Sequence, residues 1–332
     1  MSALLVLSAG TQAQQAAPTA QQPIILKFSH VVAASSSKGK AADYFKKIVE
    51  ERTQNRVKVE VYPNGQLYKD KEELEALQLG SVQMLAPTFG KFGPMGLREF
   101  EVFDLPYLFD DLPQARKVTQ GPIGRALLKK LDAKGLAGLA MLDDGFMQWT
   151  ANKPILVPAD MKGLKIRIQS SKVIDARVRA VGALPQVMSF TEVYQGLQSG
   201  SIDGQENPAS VIFSSRLNEV QKYMTISDHG YHGYVLLSNK KFWDGLPPDI
   251  RTIMDGAVKD TTAYFDTNSQ KENDDALEEI RKSGKTRITT LTPAEKQEWK
   301  KVMFKVHAEM ADRIGKDLIR SIYKEIGYTT TK

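Results

Sequence analysis

Alternating apolar and polar side chains mark the strands of this chain. Val57, Val59 and Val61 alternate with Lys58 and Glu60. Leu164, Ile166 and Ile168 alternate with Lys165, Arg167 and Gln169. A period of two predicts a strand with one face turned inward. Residues 24–31 and 82–86 read as two further strands. Between them, 38–53 is predicted as an amphipathic helix with Ala41, Ala42, Phe45, Ile48 and Val49 on one face, and 70–80 as a helix ending at Gly80. Pro63-Asn64-Gly65 stops the second strand. The order β-α-β-α-β implies a parallel sheet with helices on both faces. In such sheets ligands sit beyond the carboxyl ends of the strands. The loops 29–38, 62–68 and 87–91 end there.

The same order returns later. Strand 164–168 leads to helix 172–181, strand 184–188 to helix 191–199, and strand 201–205 to a helix after Pro208. Between the two sets, Phe100 to Phe109 reads as apolar packing rigidified by Pro106, 113–134 as mostly helix and 136–142 as a buried strand. A turn is expected at Asp143-Asp144-Gly145. Residues 223–238 are expected to run extended back to the first unit. From Leu246-Pro247-Pro248 a helix of about 35 residues is predicted, with Ile250, Ile253, Met254, Ala257, Thr261, Tyr264 and Phe265 on its inner face. That length is unusual for one domain, so the helix is expected to bridge two. Gly284 ends it; Thr292 to Glu295 form a capping box before another helix, and 315–326 a last one. The expected architecture is α/β with two lobes and a cleft between them. The expected first lobe is 24–144 with 232–273, and the second 145–231 with 274–332.

Composition narrows the function classes. The chain has 332 residues, 42% hydrophobic and 25% charged, which suits about two globular domains. Its formal charge is +6. Acidic and basic residues alternate, as in 70–75, which reads as a solvated surface, and no basic block interleaves with aromatics, so nucleic acid is not an expected partner. A modest positive bias favours small anions. There is no cysteine, which excludes disulfides, thiolate nucleophiles and cysteine-based metal sites. Ala3 to Leu7, a small-residue stretch and a Gln/Ala/Pro tract to Gln22 read as a signal-peptide remnant and spacer over 1–23, predicting an exported protein.

Arg167 carries the sharpest expectation. A guanidinium between two large apolar residues in a mostly buried strand requires an anion, and none is encoded within the next few residues. That anion is either a ligand or a distant Asp or Glu in a structural pair. Asn207, in Glu206-Asn207-Pro208, is expected to face the same ligand. Lys38, Lys91, Thr88, Gln169 and Ser170 are further anion-competent groups at loop ends, and Trp149 is the aromatic placed nearest a pocket. A bidentate arginine suits one carboxylate and a lysine across the cleft a second. No zinc, P-loop, dinucleotide or nucleophile-elbow motif occurs, so neither metal nor cofactor is expected. His229 and His232 are three apart, but Gly230 and Gly233 argue against a helical metal pair.

Several segments resemble the DctP-type solute-binding proteins of TRAP transporters. They are Glu192 to Gln198 (EVYQGLQ), Gly200 to Pro208 (GSIDGQENP), Ala159 to Arg167 (ADMKGLKIR), Phe103 to Phe109 (FDLPYLF), and Val57 to Pro63 with Gln66-Leu67. The likeness covers residues 24–328. It implies a two-lobed periplasmic binding protein fold with hinge strands and a long helix across both lobes, closure over an organic acid, and delivery to TRAP membrane permease subunits from the periplasm. By this resemblance the ligand-pairing arginine is Arg167, the asparagine Asn207 and the aromatic wall Phe190. Thr88 and Lys91 fall on the first-lobe loop, and His30 and Lys38 on the loop leading into the first helix. The sialic-acid branch has an arginine where this chain has Met147. Lys38-Gly39-Lys40 and Tyr68 to Leu74 look like the C4-dicarboxylate branch, for succinate, fumarate or malate. The chain is expected to act as a monomer, with the long helix the candidate dimer surface. Two other readings are a secreted α/β enzyme acting on a carboxylated substrate, with His232 or Asp143 as its base, and a polyanion-binding surface protein.

Overall fold

The computed structural model describes residues 22–328, and the expected signal segment lies outside them except for Gln22 and Pro23. Two sheets form. The first contains β1 (Ile24–Ser29), β2 (Val57–Tyr62), β3 (Met84–Leu85), β4 (Leu136–Phe146) and, from much later in the chain, a strand at Tyr231–Asn239. The second contains β5 (Gln148–Ala151), β6 (Lys165–Ile168), β7 (Leu184–Val187), β8 (Gly204–Asn207), β9 (Tyr223–Ile226) and a strand at Arg287–Thr290. The Tyr231–Asn239 strand is β10 and the Arg287–Thr290 strand β11. Strand orders are β2-β1-β3-β10-β4 and β11-β9-β5-β8-β6-β7. β1, β2 and β3 are parallel; β10 is antiparallel to both β3 and β4.

The chain crosses between sheets where β4 passes into β5 at Met147, and where β9 passes into β10 at 227–230. The two crossings are tied together: the Met147 amide donates to the Gly230 carbonyl at 2.7 Å. The stretch expected to run extended from 223 to 238 is therefore two strands in two sheets. The Asp143-Asp144-Gly145 turn is not formed either. β4 continues through it to Phe146, and both carboxylates are fully buried. Burial is tolerated because each finds donors. Asp143 accepts from Thr119 (3.1 Å), Gln120 (3.2 Å) and the Tyr231 hydroxyl, and Asp144 from the Tyr234 hydroxyl (2.8 Å).

The long helix runs Pro248–Ser283 and ends at Gly284, whose φ of 65° suits glycine. Its first half packs Ile250, Met254, Ala257, Val258 and Phe265 into the first lobe's core, against the helix Ser37–Arg52 and β4. Its second half puts Ala276 and Ile280 against Ile212 and Met224 of the other lobe. At the changeover, Asn273 donates to the Asp144 carbonyl (2.6 Å) and accepts from the Ser210 amide (3.0 Å), one contact on each lobe. The capping box at Thr292 and Glu295 is formed. Helices Lys305–Ile314 and Lys316–Ile326, expected with the second lobe, bury Val306, Ile314, Ile319 and Ile322 among first-lobe residues such as Leu112, Leu127 and Leu131.

Candidate functional site

Between the sheets lies a cavity of about 30 Å³. The first lobe lines it with Val31, Val32, Lys38, Asp70, Thr88, Lys91, His232 and Tyr234; the second with Arg167, Gln169, Phe190, Asn207 and Val211. Lys38 sits at a helix start, Thr88, Gln169 and Asn207 at or just past strand ends, and Arg167, His232 and Tyr234 within strands β6 and β10.

Lys38 is the second residue of the helix Ser37–Arg52, capped by Ser36, whose hydroxyl accepts from the Gly39 amide at 3.1 Å. Gly39 lets the preceding loop fold onto the helix start; a Cβ there would lie 2.3 Å from the Ala34 carbonyl oxygen. That packing buries Lys38. Its Nζ donates to the Ala86 carbonyl (2.9 Å) and sits 4.0 Å over the Tyr234 ring. Among the described residues no carboxylate is within ion-pair distance of it. Burial lowers its pKa to about 7, more than Glu73 restores.

Arg167 on β6 is 6% exposed. Its Nε donates to the Met188 carbonyl (3.0 Å), its guanidinium lies 5.5 Å from the Phe190 ring, and its Nη2 is 3.5 Å from Asp70. Both anticipated partners are thus present: a distant carboxylate and an opening. Asp70 is shared, since its Oδ1 accepts from the Phe190 amide (3.0 Å) and its Oδ2 lies 3.8 Å from Lys91. Burial opposes its charge, but Lys91 and then Arg167 hold its carboxyl below the usual range. Lys91 is itself tied to Glu73 at 2.6 Å. The lining cations with no carboxylate closer than 3.5 Å are therefore Lys38 and Arg167, one on each lobe. Thr88 and Gln169 hydrogen-bond to each other across the cleft, and Asn207 donates to Gln205.

Three expected residues are elsewhere. Trp149 is fully buried in the second lobe's core, stacked 3.8 Å on His229, because β5 is covered on both faces. His30 is buried beside Phe28 and does not line the cavity; burial, then the nearby Lys38, lowers its pKa to about 3. Ser170 also does not line it. Its neighbour Ser171 caps the helix Lys172–Ala180 and donates to Asp104 of the first lobe at 2.7 Å. Conversely, Asp70, Glu73 and Tyr234 were missed. Asp70 and Glu73 lie in the charged run read as solvated surface, yet both are buried. The signal available was the unmatched Arg167, which required some carboxylate. His232 lines the cavity with Nδ1 3.2 Å from Asp144, whereas Asp143 lies behind it.

Residues 28–314 match the profile of the bacterial extracellular solute-binding proteins, family 7. The chain is 53% identical over 305 residues to a C4-dicarboxylate-binding periplasmic protein, DctP, of Rhodobacter capsulatus, covering 92% of each. It is 41% identical to the C4-dicarboxylate-binding protein DctB of Bacillus subtilis, over 91% of this chain and 86% of that one. Among solved structures, a TRAP periplasmic solute-binding protein of Shewanella oneidensis with bound succinate superposes with a TM-score of 0.89 at 39% identity, covering 92% of this chain and 99% of that one. One from Pseudomonas aeruginosa with bound L-malate gives 0.84 at 37%, covering 86% and 100%.

Proposed function

The chain belongs to the bacterial extracellular solute-binding proteins of family 7, and on that premise we propose that it captures a C4-dicarboxylate such as succinate, fumarate or malate in the periplasm and hands it to the membrane subunits of a TRAP transporter. The family is one of transport binding proteins and not of enzymes, so the enzyme reading falls away. The observation that carries the ligand class is the pair of cations with free donors, Lys38 and Arg167, facing one buried cavity from opposite lobes. A diacid satisfies both only when the lobes come together. One carboxylate takes the arginine fork while the other meets Lys38, with Thr88, Gln169 and Asn207 as neutral partners.

The cavity of about 30 Å³ admits roughly two water-sized groups, whereas a C4-diacid has about eight heavy atoms, so the lobes must part to let it in. The two crossings joined at Met147 and Gly230 and the bridging helix provide the pivot. The protein acts alone in this reading. That reading is supported by the exposed face of the long helix near its end, which is laced with Lys271–Asp275, Arg281–Glu278 and Lys282–Glu279 pairs, as solvated helix faces are.

A thermal-shift panel of mono-, di- and tricarboxylates tests the proposal. Succinate, fumarate or malate at about 100 times its Kd should add about 2.7 kcal/mol of stability and raise the melting point by several degrees. No shift with any C4-diacid, alongside a clear shift with a monoacid or sugar acid, refutes it.

A further inference from the structure

A guanidinium offers two edges to a carboxylate, one carrying Nε and Nη2, the other Nη1 and Nη2. Here the protein covers the first. The Met188 carbonyl accepts from Nε of Arg167, and Asp70 lies against Nη2. Among the described residues nothing accepts from Nη1. Met188 and Arg167 belong to the second lobe; Asp70 belongs to the first. The same carboxylate accepts from the amide of Phe190, whose ring lies beside the guanidinium. A single buried carboxylate thus spans the cleft at the ligand-facing arginine. The adjacent Lys69–Glu192 pair also crosses the cleft, but both side chains are about half exposed and water weakens it.

We propose that Asp70 is the cross-cleft positioning residue of this site: when the lobes meet it occupies Nη2 of Arg167, whose Nε the second lobe's own Met188 carbonyl already holds, and so confines a ligand carboxylate to the Nη1 end of the fork in the closed protein. The proposal rests on the carboxylate-receptor reading above. A ligand arriving at the open second lobe finds the outer edge of the fork free. Closure then delivers Asp70, fixes the guanidinium and locks one ligand orientation. Lys91 beside Asp70 offsets the negative charge it brings. Asp70 therefore slows release and restricts ligand length, because a diacid whose carboxylate reaches only Nη2 is displaced on closing.

The test compares wild type, Asp70→Asn and Asp70→Ala by calorimetry and stopped-flow kinetics with succinate and glutarate. The chain has no cysteine, so Lys47→Cys and Gln198→Cys, exposed helix positions on the two lobes, can carry spin labels for an interlobe distance in each variant. Asp70→Ala should weaken succinate about tenfold or more, the loss of a buried charge-assisted contact. The change should appear in the dissociation rate, with association nearly unaltered. The preference for succinate over glutarate should shrink, and the short-distance population should fall with or without ligand. Asp70→Asn, which keeps an acceptor for the Phe190 amide, should fall between. Unchanged dissociation and preference overturn the proposal. Tighter succinate binding in Asp70→Ala also overturns it, since the carboxylate would then compete with the ligand for the guanidinium. If wild type binds neither diacid, the ligand reading fails on its own, and the ligand-free distances still decide the role of Asp70.

Discussion

Arg167→Ala removes the charge on which capture depends. The side chain is only 7% exposed, so its charge is desolvated before the ligand arrives. Truncating one partner of a buried, hydrogen-bonded charge pair costs about 2–5 kcal/mol of binding, roughly 30-fold to several thousandfold in Kd. Lys38 still meets the second carboxylate from the other lobe, which places the expectation near the middle, at about 3–4 kcal/mol. The fold should survive. Asp70 keeps the Phe190 amide at 3.0 Å and Lys91 at 3.8 Å, so its own charge is not orphaned. What the ligand-free protein loses is the hydrogen bond to the Met188 carbonyl and the contacts with Asp70 and Phe190, about 1–3 kcal/mol. Arg167→Lys keeps the charge but not the fork, and should lie between wild type and alanine. Calorimetry with succinate reads the affinity, and urea unfolding without ligand reads the stability. An affinity for Arg167→Ala within about threefold of wild type would refute the reasoning. So would a stability loss above about 5 kcal/mol, which would make Arg167 a structural residue first.

Three other outcomes follow from the same geometry. Lys38 must be charged to hold a carboxylate, and burial leaves its pKa near 7 in the free protein. Affinity should therefore be full below pH 7 and fall as pH rises through it, by up to about tenfold per unit. Calorimetry from pH 6 to 9 checks this, with Lys38→Met abolishing the trend; a flat wild-type profile contradicts it. In the hinge region, Glu206 is buried between Arg177 and His229, and burial opposes its charge while Arg177 lowers its pKa to about 2. Arg177→Met should cost about 3–5 kcal/mol in urea unfolding, and a loss under 1 would show the pair to be dispensable. The sign for wild type is that Glu206 stabilises the fold above its unfolded pKa of about 4.5, and that this is lost as pH falls towards 2. Gly90→Ala should hold the cleft ajar. A Cβ there would meet Asp104 Oδ2 at 2.3 Å and the Ser171 side chain of the opposite lobe at 2.7 Å, so ligand release should speed up while folding is retained. Unchanged release kinetics would mean the interface absorbs the methyl group.

Much of the architecture could be read from the chain because it is locally encoded. The alternation at Val57, Val59 and Val61, the capping box at Thr292 and Glu295 and the αL glycine at Gly284 act over a few residues, and each element formed where its pattern placed it. The Asp143-Asp144 pair failed as a turn because a carboxylate pattern looks the same in water and in a core. What decides is whether Thr119, Gln120, Tyr231 and Tyr234 arrive with donors.

By itself the sequence determined two α/β units, a bridging helix and a buried guanidinium in need of an anion. Those follow from side-chain period, helix length and the cost of an unmatched charge. Only the tertiary structure decided which anions and cations meet. Asp70 and Arg167 are 97 residues apart, as are no two members of any local motif, and Trp149 and His30 were removed from the site by packing on both sides of them. Electrostatic pairing is settled by distance in space and by the exclusion of water, and neither quantity is written in the order of the residues.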